Sequence, residues 1–413
     1  MPDSLKDLIP DFEPIEPSAV ELRARRRREA RLATGAVVVA VVLAVALVVP
    51  AIRERLAGTD ARPAQVTASP TGMLSAATSP LATASSGCGL SALPSSWLSA
   101  LTPTRLTPIT EVDLLAHDAT TGRSLYARRT SPMTVSVVEP SGTERKLFDL
   151  ATDEQAFGAA IEGDWAVLTV GSGDGTTVKG VFARRVTGGS LVTVAKQAAD
   201  FSSGPISETP VLYHGVVYVQ VGSSTLSSTT VSLLAFHLEG GQTQRRDVPR
   251  QGPSMARWGD ALVWTSSTTK VPTMVSLSTL GDVEVPSQLA SLSDAWWFAS
   301  DGQTLVWEGN GSTGWLRAYR VGWEALREVR FPSPITNPDV SSWGRYATIF
   351  VDDRMWIVDI ETGQYAPLTV SWGSAVVTGG RLASSEMANQ KGGSAGLYEL
   401  DLKTVPPLPA CTR

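Results

Sequence analysis

The sequence predicts an all-β fold, a β-propeller of seven blades or alternatively six, preceded by one N-terminal transmembrane helix. Two observations lead to this prediction. Twenty uncharged residues, Ala33–Ile52, follow a cluster of arginines. Beyond them, short apolar runs that begin or end at turn glycines recur at intervals of 35 to 52 residues. Four short strands in a repeat of about 40–45 residues are typical of propeller blades.

The segment Ala33–Ile52 is long enough to cross a bilayer as a helix. About twenty residues at 1.5 Å per residue span a hydrocarbon core of roughly 30 Å, and a helix satisfies its own backbone hydrogen bonds there. Six arginines precede the segment closely and three follow it, so the positive-inside rule places the N-terminus in the cytoplasm. We therefore expect a single-pass protein of the cell membrane that contacts the lipid bilayer through Ala33–Ile52. A cleaved signal peptide stays an alternative, because Val49, Pro50 and Ala51 resemble a cleavage site.

The remaining residues divide into three predicted regions. Residues 1–32 form a cytoplasmic tail whose Arg-rich juxtamembrane part faces anionic lipid headgroups. Residues 53–87 are rich in Ala, Ser, Thr and Pro. They have too little large apolar surface to offset the entropy of ordering, which predicts a flexible stalk. Residues 88–413 form the extracytoplasmic propeller.

Two glycine patterns define the predicted blades. In the first, a glycine stands just before an apolar strand. Its members are Gly122, Gly163, Gly215, Gly259, Gly302, Gly344 and Gly379. In the second, a glycine ends a strand, and from Gly240 onward these glycines lie 41 residues apart three times in succession. Seven copies predict seven blades. Six blades with an extra sheet stay an alternative, because the first and last copies are the least regular.

One repeat carries a family resemblance. Residues 344–369 read GRYATIFVDDRMWIVDIETGQYAPLT, and this unit resembles WD40-like and TolB-like propeller repeats. It lacks the WD and GH pairs of the first family and the SPDG turn of the second. The order of anchor, arginine cluster, stalk and propeller resembles that of actinobacterial membrane proteins, some of which accompany extracytoplasmic sigma-factor systems. The resemblance implies the fold and assigns no functional residue.

The two cysteines, Cys88 and Cys411, lie near the two ends of the predicted propeller. A propeller brings its first and last blades side by side, and an extracytoplasmic compartment permits disulfides. We therefore predict a bond between them. Two unrelated free thiols stay the alternative.

Few residues of the chain suggest catalysis. It has three histidines, His117, His214 and His237, and no HExxH or CxxC motif, so no catalytic residue, metal site or cofactor is predicted. His237 occupies the same repeat position as Arg320 and Asp359, which favours a structural role. The formal net charge of −5 gives no indication of a nucleic-acid partner.

Tryptophan is concentrated in one part of the chain. Ten of the twelve tryptophans lie between Trp258 and Trp372. Trp264 and Trp307 share one repeat position and Trp258 and Trp343 another, which favours packing between blades. Trp297 and Trp323 depart from the repeat, so we predict them as binding residues for a sugar ring or a partner protein.

These observations favour a non-catalytic binding or scaffolding module in the cell envelope, because the loops of a propeller surround a channel and suit recognition. The expected ligand is an envelope protein or a polysaccharide. An envelope enzyme acting on glycans, either a lyase or a hydrolase, is one alternative. A transmembrane regulator linked to a sigma-factor system through residues 1–32 is another.

Overall fold

The computed structural model describes residues 85–86, 88–173, 177–196, 209–222, 230–267, 269–295, 297–310, 314–335, 340–352, 354–368, 375–385 and 396–409. The predicted tail, the predicted membrane segment Ala33–Ile52 and residues 53–84 of the predicted stalk lie outside these ranges. Across the described ranges, no helix is both long and apolar enough to span a bilayer.

The described chain begins with four short elements. They are β1 (Ser85–Ser86), β2 (Cys88–Gly89), α1 (Ser95–Ala100) and β3 (Thr102–Pro103). A single 3-10 turn, Ile109–Glu111, leads from them into the first blade. Ser85 and Ser86 fall within the predicted stalk, yet they form a strand.

The described strands that follow form seven antiparallel sheets, or blades, in chain order. Blade 1 contains β4 (Val112–His117), β5 (Ser124–Arg128), β6 (Thr134–Val138) and β7 (Glu144–Asp149). Blade 2 contains β8 (Glu154–Glu162), β9 (Trp165–Ser172), β10 (Val178–Arg185) and β11 (Val192–Lys196). Blade 3 contains β12 (Val211–Tyr213), β13 (Val216–Val221), β14 (Thr230–His237) and β15 (Thr243–Pro249). Blade 4 contains β16 (Gln251–Trp258), β17 (Ala261–Ser266) and β18 (Pro272–Ser276).

The second half of the ring has the same layout. Blade 5 contains β19 (Trp297–Ser300), β20 (Thr304–Asn310), β21 (Gly314–Arg320) and β22 (Arg327–Arg330). Blade 6 contains β23 (Ser341–Trp343), β24 (Tyr346–Val351), β25 (Arg354–Asp359) and β26 (Gln364–Pro367). Blade 7 contains β27 (Ala375–Thr378), β28 (Arg381–Ser384) and β29 (Tyr398–Asp401). In blade 4, the 3-10 helix Ser287–Asp294 follows the third strand and buries Leu289 and Leu292 completely.

The first strands of the blades meet around a common axis. We denote the strands of each blade A to D, counted outward from this axis. Each A strand contacts the A strand of the next blade, and β27 of blade 7 returns to β4 of blade 1. This closed cycle has seven members, so the prediction of seven blades is confirmed.

The glycine that precedes an apolar strand lies in the turn between the A and B strands of every blade. All seven of these glycines have positive φ angles, between 53° and 93°. L-residues with a Cβ rarely adopt this conformation, and tight hairpin turns require it. The recurrent glycine in the sequence therefore marks the A–B turn of each blade.

The A–B turns also bind neighbouring blades to each other. The backbone N–H of Gly163 in blade 2 donates to the Asp118 carboxylate of blade 1 at 2.9 Å. The N–H of Gly344 in blade 6 likewise donates to Asp301 of blade 5 at 2.7 Å. These bonds hold the ends of adjacent A strands at the same level along the axis.

Large apolar side chains fill the wedges between blades. Trp264 and Trp307 occupy equivalent positions on the B strands of blades 4 and 5, and neither has any exposed surface. Both belong to the apolar cluster between these blades, together with Trp258. The interpretation of these repeated tryptophans as packing residues is confirmed.

The segment from β1 to β3, which we call the N-terminal strap, runs along the outer edges of three blades. β1 pairs with β22 of blade 5, and β2 pairs with β26 of blade 6. β3 becomes the outermost strand of blade 7 by pairing with β29. Between β2 and β3, the fully buried indole of Trp97 donates to the backbone oxygen of Pro406 at 3.0 Å. Blade 7 is thus built from both ends of the propeller.

The strap brings Cys88 towards the C-terminal part of the chain. Cys88 lies on β2, beside Gln364 of blade 6. Leu408 packs in the same apolar cluster as Trp97 of the strap. Cys411 lies outside the described residues, so the disulfide stays a prediction.

We predict that replacing both Cys88 and Cys411 with Ser lowers the stability of the full-length protein without changing its fold. A bond that closes so long a loop stabilises by about 2–4 kcal/mol, because it restricts the unfolded chain. Thermal unfolding with and without dithiothreitol measures the effect. The reductant should lower the melting temperature of the wild type to that of the double variant and leave the variant unchanged. Two titratable thiols in unreduced, unfolded wild type would contradict the bond.

Candidate functional site

A channel lies on the axis of the ring. Its cavity measures about 530 Å³ and is lined by residues from or beside the A strands of all seven blades. This volume falls within the range of small-molecule sites in proteins. Much of the wall consists of small uncharged residues, such as Ala159, Ser254, Ser300 and Val376.

The channel has two chemically different ends. The A–B turns surround one end of the channel, which we call the AB mouth. The A strands begin at the other end, which we call the opposite mouth. Charged side chains gather at the AB mouth, where Asp118, Arg257 and Asp301 line the cavity beside Trp343. Recognition by polar groups is therefore concentrated at this end.

The two predicted binding tryptophans lie on opposite faces of the ring. Trp297 is the first residue of β19, lines the channel at the opposite mouth and is half-buried. Trp323 follows β21 in the C–D turn of blade 5, which lies on the face of the A–B turns. The ring of Trp323 is half-buried and faces two guanidinium groups. The Cζ atom of Arg327 lies 4.2 Å from its centroid and that of Arg320 5.0 Å. The structure therefore does not bring the two residues into one site.

Arg257 is a charged residue of the channel wall that contacts two neighbouring blades. Its Cζ atom lies 4.3 Å from the centroid of the Tyr213 ring in blade 3. On its other side lies Gly302 of blade 5, where an added Cβ would stand 1.8 Å from Nη2 of Arg257. A side chain at position 302 would displace the guanidinium group from this place.

Arg257 has no carboxylate partner among the described residues. None of the ion pairs between described side chains includes it. By contrast, Arg345 on the same face of the ring binds Asp359 with two hydrogen bonds of 3.0 and 2.7 Å. The charge of Arg257 is therefore available to a ligand.

Trp343 is a channel residue that the sequence did not identify. It shares a repeat position with Trp258, and the repeat assigned both to packing. Trp258 is buried and donates to the backbone oxygen of Gln303 at 2.9 Å. Trp343 also packs against the apolar cluster of blades 6 and 7 and against Gly380 of blade 7, but it is half-buried and borders the cavity.

The three histidines do not converge. His117 lines the channel, with Nδ1 2.8 Å from the Ser124 hydroxyl. Burial, followed by the positive charge of Arg381, lowers the pKa of His117 to about 4. His214 lies in the A–B turn of blade 3 and His237 ends β14. His117 is thus a neutral, hydrogen-bonded residue at neutral pH.

Two carboxylates of the AB mouth, those of Asp301 and Asp118, are engaged by backbone groups. Asp301 accepts hydrogen bonds from the N–H groups of Gln303, Thr304 and Gly344, at 2.7 to 2.8 Å. Asp118 accepts bonds from the N–H groups of Thr120 and Gly163, both at 2.9 Å. Within the described ranges, no three or more His, Cys, Asp or Glu side chains are grouped to hold a metal.

Comparison with known proteins gives structural similarity at low identity. No family model and no curated protein matches the chain. An oligogalacturonate lyase in complex with manganese is 11% identical with a TM-score of 0.48, over 70% of this chain and 90% of that one. PorZ, a surface component of the type-IX secretion system of Porphyromonas gingivalis, is 10% identical with a TM-score of 0.45, over 73% and 40%. The Cps50 (Swd1) β-propeller domain of Myceliophteria thermophila is 11% identical with a TM-score of 0.45, over 70% and 94%. At these values we assign no ligand or reaction from them.

We predict that His117 makes the protein less stable in mild acid. The pKa of His117 is about 4 in the folded protein and about 6.5 in an unfolded chain. As the pH falls from 6.5 to 4, the unfolded chain therefore takes up a proton that the folded protein does not, and stability is lost. The full shift corresponds to about 3 kcal/mol, which partial exposure to water reduces to about 1 kcal/mol.

The variant His117→Asn isolates this effect, because the amide retains a polar group near Ser124 and does not titrate. Urea unfolding at pH 7 and pH 4.5 measures the loss. It should be about 1 kcal/mol smaller in the variant than in the wild type. Equal losses in both proteins would show that His117 is protonated in the folded state.

Proposed function

We propose that the protein is a membrane-anchored extracytoplasmic β-propeller that acts as a non-catalytic binding or scaffolding module in the cell envelope. Its ligand enters the central channel. The observation that carries this proposal is the cavity of about 530 Å³, to which all seven blades contribute. A site formed by a closed ring is held rigidly, so a ligand is bound with little cost of ordering the wall.

The chemistry of the wall supports binding rather than catalysis. General acid–base catalysis needs a titratable group that can exchange a proton with the substrate near the working pH. The burial that lowers the pKa of His117 keeps it neutral, and Asp118 and Asp301 are held by backbone N–H groups. The small residues between them offer space and hydrogen bonds. The resemblance to WD40-like and TolB-like repeats agrees with this fold and indicates no ligand.

The strap supports an arrangement in which the anchor leaves both mouths open. The described chain starts at β1, on the outer edge of blade 5, away from the axis. A stalk joined at this edge would hold the ring beside the membrane without crossing either end of the channel. Ala33–Ile52 would supply the anchor, with the arginine-rich side in the cytoplasm.

This topology has a direct test in spheroplasts that produce the protein with an N-terminal tag. Added protease should cleave the stalk and release the propeller, while the tag stays protected inside. Digestion of the tag in sealed spheroplasts would contradict the orientation. A cytoplasmic marker protein serves as the control for sealing.

The two predicted binding residues would contact different molecules. Trp297 lines the opposite mouth, so it would contact a ligand that fills the channel. Trp323 lies on the outer face between Arg320 and Arg327, where it would contact a partner protein. Both assignments remain proposals, and quenching of tryptophan fluorescence lost in Trp297→Ala would support the first.

We predict that filling the channel weakens ligand binding. Val376 lines the cavity and Val321 is 62% exposed on an outer turn, so the same substitution tests two locations. Val376→Trp should weaken the binding of fragments of cell-wall polysaccharide to the full-length protein by at least about tenfold, and Val321→Trp should leave it unchanged. Calorimetric titration measures both. Equal binding by the wild type and Val376→Trp would place the site outside the channel.

A further inference from the structure

We propose that the AB mouth binds an acidic sugar, with Arg257 pairing with the sugar carboxylate and Trp343 stacking against the ring. This inference rests on the proposed function of the channel as a binding site and names the class of ligand. Arg257 and Trp343 both line the cavity, from blade 4 and blade 6. Neither was singled out by the sequence as a binding residue.

Arg257 is held in place before any ligand arrives. Its guanidinium group lies between the Tyr213 ring and Gly302. The N–H of Gly259 donates to the oxygen of Gly302 at 2.7 Å, which fixes the two A–B turns against each other. Tyr213 is in turn held by its hydroxyl group, 3.4 Å from the Asp260 carboxylate. Such stacking orients the plane of the guanidinium group and leaves its N–H edge for hydrogen bonds.

The missing partner of Arg257 indicates an anionic ligand. Removing an arginine from water without a counter-charge costs free energy, and Arg257 is half-buried with no ion pair among the described residues. The planar fork of N–H donors matches the two oxygens of a carboxylate. A ligand carboxylate would therefore supply the counter-charge and the hydrogen-bond acceptors for the guanidinium group of Arg257.

The acidic residues nearby do not fill this role. Asp301 stands beside Gly302, yet its oxygens accept three backbone N–H bonds. Asp118 is bonded in the same way across the channel in blade 1. Glu162 of blade 2 also lines the cavity but forms no ion pair with Arg257. Lys403 adds positive charge near Trp343, with Nζ 5.8 Å from its ring centroid.

Trp343 stands at the same level of the channel as Arg257. The bond from Gly344 to Asp301 holds the end of β23 against the A–B turn of blade 5. A backbone bridge between Trp258 and Gly302 holds the end of β16 against the same turn. Arg257 and Trp343 therefore flank one turn from its two sides. Trp297 lies four residues before Asp301 along blade 5, about 13 Å lower at the rise of a strand.

The combination favours a sugar over an acidic peptide. A half-exposed indole presents an apolar face with a polar edge, which complements the apolar face and hydroxyl rim of a pyranose. The hydroxyls of Ser300 and Thr378 border the same mouth. A peptide carboxylate would use Arg257 but would gain little from Trp343.

The test is calorimetric titration of the full-length protein in detergent with three probes. They are a tetrasaccharide of glucuronic acid, a glucose tetrasaccharide and a glutamate tetrapeptide. We expect the acidic sugar to bind at least about tenfold more tightly than the neutral sugar, since hydrogen bonds to charged groups are worth about that factor. Arg257→Gln should erase this preference and Arg257→Lys should retain part of it. Trp343→Ala should weaken the binding of both sugars.

The control is Arg354→Gln, because Arg354 is exposed on β25 and does not line the channel. It should behave as the wild type, and equal melting temperatures of the variants show that each is folded. Three results would overturn the inference. The wild type could bind the two sugars with equal affinity, it could bind none of the three probes, or Arg257→Gln could keep the preference of the wild type. Binding of the glutamate peptide as tightly as the acidic sugar, with no effect of Trp343→Ala, overturns the sugar assignment. If Val376→Trp blocks a probe that Arg257→Gln does not affect, the channel is a binding site and only this inference fails.

Discussion

Closure of the ring is the constraint on which the rest of the structure depends. Seven sheets around an axis enclose a channel only if blade 7 binds blade 1, and the described part of blade 7 supplies only three strands of its own. The strap provides the outermost strand, β3, from the opposite end of the folded chain. With Trp97 buried beside Pro406, the two chain ends stabilise each other. Every A strand then has two neighbours, and the positions of Arg257 and Trp343 follow from that arrangement.

The A–B turns align the blades of the closed ring and so determine the positions of the residues at the AB mouth. Each has a glycine with positive φ, and at two turns a backbone N–H binds the preceding blade. Hydrogen bonds to a carboxylate are worth about 1.5–3 kcal/mol each, so the turns stabilise the ring as well as align it. The same turns form the rim of the AB mouth. The residues that bind neighbouring blades are therefore the ones that determine the shape of the channel entrance.

The parts of the fold that could be predicted are those with a local cause. The turn glycines report seven blades, because only glycine adopts their backbone conformation without strain. Trp264 and Trp307 occupy one repeat position because each fills the equivalent space between neighbouring blades. The strap and the 3-10 helix in blade 4 have no such pattern, since distant packing decides them. For the site, Trp297 was predicted as a binding residue and lies in the channel, but the availability of Arg257 depends on Tyr213 and Gly302 in two other blades. No periodicity within one repeat contains that information.

These features form a closed ring whose described wall carries a cation, carboxylates, indole rings and small neutral side chains. An enclosed channel requires that blade 7 stays bound to blade 1. Hydrogen–deuterium exchange of the full-length protein measures this closure directly. A closed ring predicts that the amides of β4, β27 and β28 exchange as slowly as those of β16 and β17 in the middle of the ring. Rapid exchange confined to blade 7 and the strap, with slow exchange elsewhere, would show that the ring opens at this junction and contradict the enclosed channel.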